Sequence, residues 1–139
     1  MGRIKQSQIT YWCHEIIRSQ AEAGGCYIDA TMGKGNDTLF LCELAGENGK
    51  VLAFDIQQEA LDATRELLRT HGKEQQAELI LDGHEHMDRY AMEESTDVIC
   101  FNFGYLPGGD HKLATTYQTS IEAIGKGLGI LKHGGMMSL

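Results

Sequence analysis

Apolar residues recur along the chain in two rhythms, and the rhythms alternate. Ile9, Trp12, Cys13, Ile16 and Ile17 fall at helical spacing, which predicts an amphipathic helix over 7–23, ended by Gly24-Gly25. A short strand follows over 26–30, then a glycine loop over 33–35. Asn36 or Asp37 can cap the next helix, whose apolar face includes Leu39, Phe40 and Leu44. The continuous apolar run 51–54 reads as a strand covered on both faces. Ala60, Leu61, Thr64, Leu67 and Leu68 mark another helix, and 79–81 and 98–101 two more strands. Tyr117, Ile121, Ile124, Leu128 and Leu131 predict a long helix closed by Gly134-Gly135, with a fifth strand beginning over 136–139.

Strands that alternate with helices, through connections long enough for right-handed crossovers, build an α/β doubly wound parallel sheet. The expected strand order is 3-2-1-4-5, with a ligand crevice beyond strands 1 and 4, where the order reverses. The two segments richest in chemistry, 29–37 and 102–111, fall on either side of that point. The expected unit is a single domain over 1–139. Its fifth strand would leave the apolar Met136-Met137 at an open edge, an aggregation hazard. The expectation is therefore that the sheet lacks its final strands, or that a second copy covers the edge as a homodimer.

Composition changes this picture little. The formal net charge of −8 argues mildly against a general nucleic-acid binder. A local basic patch is still compatible with it, from Arg3, Lys5, Arg18, Lys112, Lys126 and Lys132. Cys13, Cys26, Cys42 and Cys100 form no C-x-x-C pair and sit among apolar residues, as reduced core thiols do. With no apolar leader and no membrane-length run, a cytoplasmic protein with no membrane partner is expected.

The segment Asp29-Ala-Thr-Met-Gly33-Lys-Gly35-Asn-Asp37 follows a strand and opens a helix. Glycines there let the backbone turn sharply and a ligand approach closely. Asp55 ends the second strand about 20 residues after Gly35, where a carboxylate can accept the hydroxyls of an adenosine ribose. That ribose is common to S-adenosylmethionine (SAM) and NAD. Three details favour SAM: Thr38 stands where a dinucleotide fingerprint has its third glycine, Asp29 precedes the loop, and Asp37 adds charge where a pyrophosphate would sit. Lys34 pulls the other way. Asp82-Gly83-His84 lies where an adenine would rest. His84, Glu85 and His86 suggest a metal, but only His111 or His14 could complete the set, and no metal is expected. In the loop after strand 4, Asn102 could accept a hydrogen bond from an amine, and Tyr105 could stack on a base.

The segments 29–41, 53–57, 82–85 and 101–110 together resemble the bacterial class I methyltransferases long labelled rRNA methylases. These are understood as tRNA 5-(aminomethyl)-2-thiouridylate methyltransferases, which methylate the aminomethyl nitrogen of the modified wobble uridine. The resemblance covers nearly the whole chain and implies a Rossmann-like class I fold, SAM as cofactor and the tRNA anticodon region as partner. It implies that Asp29, Gly33, Gly35, Asn36 and Asp37 surround the methionine part of SAM. Asp55 and Gln57 would hold the ribose, with Gly83 and His84 near the adenine. Asn102 and Tyr105 would face the substrate amine as catalytic groups, and Asp110 and His111 would contact substrate. The sequence departs from the family pattern at Met32, at Lys34 and at Gly83, where a serine is usual, and family members continue through further strands. The competing readings are a small-molecule methyltransferase, an NAD-dependent oxidoreductase, and a truncated domain that binds cofactor without catalysis.

Overall fold

The computed structural model describes residues 6–21, 23–102 and 110–139, with side chains described from residue 8 and, in the last helix, from residue 118. Nine principal elements follow one another among the described residues: α1 Gln6–Gln20, β1 Cys26–Asp29, α2 Asn36–Ala45, β2 Lys50–Asp55, α3 Gln58–Thr70, β3 Ala77–Leu81, β4 Thr96–Cys100, α4 Asp110–Ile130 and β5 Leu131–Ser138. Short 3-10 turns cover Glu74–Gln76 and His84–Arg89. The five strands form one parallel sheet in the order β3-β2-β1-β4-β5, as the alternating pattern predicts.

Period-two alternation sorts each central strand between two layers. Tyr27, Val51, Val98 and Cys100 point to the side covered by α1 and α2, where Ile17, Phe40, Leu41 and Leu68 complete a core. Ile28, Leu52, Phe54 and Ile99 point to the opposite side, against Met87, Ala123 and Ile130. Fully enclosing side chains of this size contributes about 1.5–3 kcal/mol each.

Two helices bury only part of the apolar stripe that their spacing predicts. Among the described side chains of α1 only Ile17 is enclosed; Ile9, Trp12 and Ile16 are 43%, 52% and 55% exposed. The helix meets the body through Ile17 and Cys13 of the expected stripe, joined by the half-buried His14. In α4 Ile121 and Leu128 face outward, while Ser120, Ala123, Gly127 and Ile130 face the sheet. Small residues let that helix sit close: a Cβ on Gly127 would lie 2.8 Å from Met137 and 3.2 Å from Ile99. The last boundary also moves. Leu131, Gly134 and Gly135 belong to β5, not to the helix and its stop. Thr96 pairs with Leu131 and Val98 with Met136, so residues 132–135 bulge out of the ladder, with Gly134 at φ +82°.

Asp29 is a fully buried carboxylate at the end of β1. Its Oδ1 accepts the Thr31 N–H at 3.1 Å and its Oδ2 the Thr38 hydroxyl at 2.6 Å. Burial pushes its pKa up to about 7; the Thr38 hydrogen bond opposes that shift, and the Asp37 charge adds to it. The helix cap expected of Asn36 or Asp37 is absent: Gly35 holds the N-cap position in the left-handed region, at φ +93°.

Two outcomes follow. A Cβ at Gly35 would lie 2.9–3.1 Å from Thr64 on a backbone that L residues avoid. Gly35→Ala should cost at least about 1–2 kcal/mol, read as a lower midpoint in thermal or urea unfolding. For Asp29, the unfolded chain titrates near about 3.9 and the folded one higher. The folded state therefore binds the proton more tightly. Its stabilising share is complete below the unfolded value and is lost as pH rises through about 7. Asp29→Asn still offers an oxygen and an amide to Thr31 and Thr38. It should gain in Tm relative to the native chain between about pH 5 and about pH 8; parallel Tm profiles would refute the assignment.

Candidate active site

The carboxyl ends of β1, β2, β3 and β4 open on one side of the sheet, and the glycine loop lies across them. Met32 N–H donates to the Phe54 carbonyl at 2.9 Å, which lays the loop on the end of β2. Gly35 N–H donates back to Met32 at 2.9 Å, closing the turn. Gly33 N–H donates to Asp55 Oδ2 at 3.1 Å, while Asp55 Oδ1 accepts the Gln57 N–H at 3.0 Å. Both strand-ending acids, Asp29 and Asp55, thus accept the N–H of the residue two positions on, the turn that short acidic side chains favour. They differ in burial. Asp29 is sealed, whereas Asp55 is partly exposed and its oxygens keep further lone pairs for a ligand. The enclosed Asp29 carboxylate braces the loop from beneath.

Asn36 and Asp37 begin α2 beside the loop. Asp37 Oδ1 lies 2.7 Å from His14 Nε2, and the His14 ring stacks on Phe40 with centroids 3.9 Å apart. The Arg18 guanidinium also lies over Phe40, 5.2 Å from the ring centre. Helix α1 is thereby tied to the start of α2, a contact that nothing in the spacing of His14 predicts.

Beyond β3, Gly83 opens the 3-10 turn. His84 Nδ1–H donates to the Ala30 carbonyl at 3.1 Å, and its ring lies 5.7 Å from that of Phe101. His84 therefore reaches the ends of β1 and β4 as well as flanking its own strand. Burial holds its imidazole below the usual range. His86 turns elsewhere, to Asp82 Oδ1 at 2.7 Å; that contact above all holds the Asp82 carboxyl below its ordinary value. The Tyr90 hydroxyl donates to Asp82 Oδ2 at 2.9 Å. Among the described residues, no group of three or more His, Cys, Asp or Glu could hold a metal ion.

Beyond β4, Asn102 N–H donates to Thr31 Oγ1 at 2.6 Å, and the residue is exposed at the rim. The structure thus gathers Gly33, Gly35, Asn36, Asp37, Asp55, Gln57, Gly83, His84 and Asn102 around one strand-end crevice. Tyr105 lies outside the described residues, as do the side chains of Asp110 and His111, the first two residues of α4. Thr31, Thr38 and Thr64 were not legible as site residues, although Thr31 two places after Asp29 is a turn signal. Each described member of the candidate basic patch has an acidic partner. Arg18 pairs with Glu15, Lys126 with Asp88 and Lys132 with Asp97; Arg3, Lys5 and the Lys112 side chain lie outside the described residues. No helix among the described residues is long and apolar enough to cross a membrane.

Residues 51–139 match the family described as "Putative rRNA methylase". A solved structure of that description from Clostridium thermocellum is 40% identical, with a TM-score of 0.84, covering 98% of this chain and 72% of its own. A methyltransferase structure from Streptococcus mutans, in complex with SAH, is 37% identical with a TM-score of 0.78, covering 97% of this chain and 73% of its own. Among curated proteins, the chloroplastic tRNA (mnm(5)s(2)U34)-methyltransferase of Arabidopsis thaliana is 33% identical over 99% of this chain. The chain spans about half the length of that relative, 53%. With its strand order, strand-end crevice and matched residues, this chain belongs to the rRNA-methylase family and has the Rossmann-like class I methyltransferase fold.

Proposed function

We propose that this chain is the catalytic core of a SAM-dependent N-methyltransferase. Its substrate in this reading is the aminomethyl group of 5-aminomethyl-2-thiouridine at the tRNA wobble position. The observation that carries the reading is the meeting of two loops: Asn102, at the end of β4, hangs by one 2.6 Å hydrogen bond from Thr31 of the glycine loop. A substrate group held by Asn102 therefore stands beside whatever the glycine loop holds. The donor set suits SAM. Asp37 and Asp55 put carboxylates around the loop, which favours a cationic aminoacyl group and ribose hydroxyls over a pyrophosphate. The SAH complex of the Streptococcus mutans relative supports the same cofactor. The name of the Arabidopsis relative supports the tRNA target.

SAM supplies a methyl group already activated by its sulfonium. The protein's task is to place a neutral amine in line with it and keep water out, and such positioning can supply most of the acceleration. Asp55 holds the ribose hydroxyls while its bonds to Gly33 and Gln57 fix the carboxylate in place. The Asn102 side-chain oxygen accepts an N–H of the amine and aims its lone pair. Bound SAM would supply the methyl to that nitrogen, with the electron pair of the broken carbon–sulfur bond left on sulfur. The resulting ammonium then loses a proton to solvent.

Labelled SAM and tRNA lacking only the terminal methyl test the reading. Label should appear in the methylated wobble nucleoside; label in ribosomal RNA or a small amine instead would replace the substrate, and calorimetric binding of NAD but not SAM would replace the chemistry. Asp55→Ala should raise the Kd for SAM about tenfold or more, the equivalent of about 1.4 kcal/mol. An unchanged Kd would remove the ribose assignment. Asn102→Ala should keep that Kd within about twofold while transfer falls about 100-fold, the cost of a misplaced reactant. Equal loss of binding and transfer would sink its role.

A further inference from the structure

The β1–β4 ladder ends in an exchange of partners. Asp29 pairs with Cys100, and Ala30 N–H donates to the Cys100 carbonyl at 2.8 Å. In a regular parallel ladder the next rung would run from Asn102 N–H to the Ala30 carbonyl. Instead, the Ala30 carbonyl accepts His84 Nδ1–H, and Asn102 N–H turns to the side-chain oxygen of Thr31. Thr31 is itself fixed from below. Its N–H donates to Asp29 Oδ1, and Asp29 Oδ2 accepts the Thr38 hydroxyl from the first turn of α2. A continuous set of hydrogen bonds therefore runs from α2 through Asp29 and Thr31 to the backbone of Asn102.

We propose that Thr31 is a positioning residue for methyl transfer: its hydroxyl oxygen, standing in for a strand carbonyl, holds Asn102 where β4 ends and so sets where the Asn102 side chain meets the substrate. The inference rests on the reading that Asn102 faces the acceptor amine. The geometry is specific. A backbone carbonyl at this place would continue the sheet and close the crevice, whereas a side-chain oxygen satisfies the N–H while the two chains diverge. Asn102 lies exposed at the rim, so an isosteric residue lacking the oxygen would leave its N–H to solvent and release the chain after β4 from the glycine loop.

Thr31→Val keeps the shape and removes the acceptor; Thr31→Ser keeps the acceptor. On whichever acceptor the native chain methylates, Thr31→Val should lower kcat about tenfold or more, with SAM Kd and acceptor KM within about twofold. Thr31→Ser should restore kcat to within about threefold of the native value. A native kcat in Thr31→Val would overturn the proposal. So would a Thr31→Ser protein as slow as Thr31→Val, because the methyl group and not the oxygen would then matter. Amide hydrogen exchange at Asn102 gives a readout that needs no substrate: slow in the native and Ser proteins, fast in the Val protein. If the native chain methylates no tRNA, the substrate reading fails while this comparison still decides the clasp; equal exchange in all three proteins overturns it.

Discussion

Strand β1 is hydrogen-bonded on both sides, to β2 and to β4, and the site depends on where that strand stops. The glycine loop leaves its end toward β2 and α2, while the chain after β4 leaves in its own direction. Two parallel strands that diverge should each lose ladder partners, and an unpaired buried backbone group is among the costlier faults a fold can carry. Here His84 supplies a side-chain donor to the buried Ala30 carbonyl, and Thr31 a side-chain acceptor to the exposed Asn102 N–H. The crevice opens with its rim satisfied, and the residues that satisfy it stand where a ligand would enter.

The two acids that end β1 and β2 make the same turn and serve different ends. Each accepts the N–H two residues on and reaches a second element with its other oxygen: Asp29 to Thr38, Asp55 to Gly33. Burial separates them. Asp29 lies under the loop and shapes it; Asp55 lies beside it and keeps a face to solvent. Fixing Asp55 with two backbone donors also settles its carboxylate before a ligand arrives, so less ordering is left to do on binding.

Much of the sheet was legible because the evidence for it is local. Apolar runs such as 51–54, punctuated by glycines, give a strand order once right-handed crossovers are assumed, and the order β3-β2-β1-β4-β5 is the one found. The meeting of Asp55 with the glycine loop was legible because one strand–helix–strand crossover brings the end of β2 back beside the end of β1. Helix orientation was not. Trp12 and Ile16 in α1, and Ile121 and Leu128 in α4, read as core and lie exposed; small residues such as Ala123 and Gly127 fill the close contacts instead. Periodicity finds a helix but weighs size, whereas close packing on a sheet selects for smallness. Leu131 and Gly134-Gly135 were misplaced for a related reason: a bulged edge strand carries glycine where a helix stop also would. The role of Thr31 leaves no mark in the sequence, because its partner is 71 positions away and a hydroxyl has no pattern of its own.

The bond between Thr31 and Asn102 joins residues 71 positions apart, as does the one between Cys26 N–H and Asp97. The half of the sheet formed by β1, β2 and β3 closes through single crossovers between strands that are neighbours in sequence, while β4 must return across that whole half to reach β1. Closing a long loop precedes any reward from the contacts it makes, so the seam between the halves is the costly step of assembly. The glycine loop and Asp55 belong to the first half, and Asn102 to the second. A nascent chain that has folded only as far as β3 therefore holds the loop and its bracing acid, and the bond that joins the two loops forms only when β4 docks on β1.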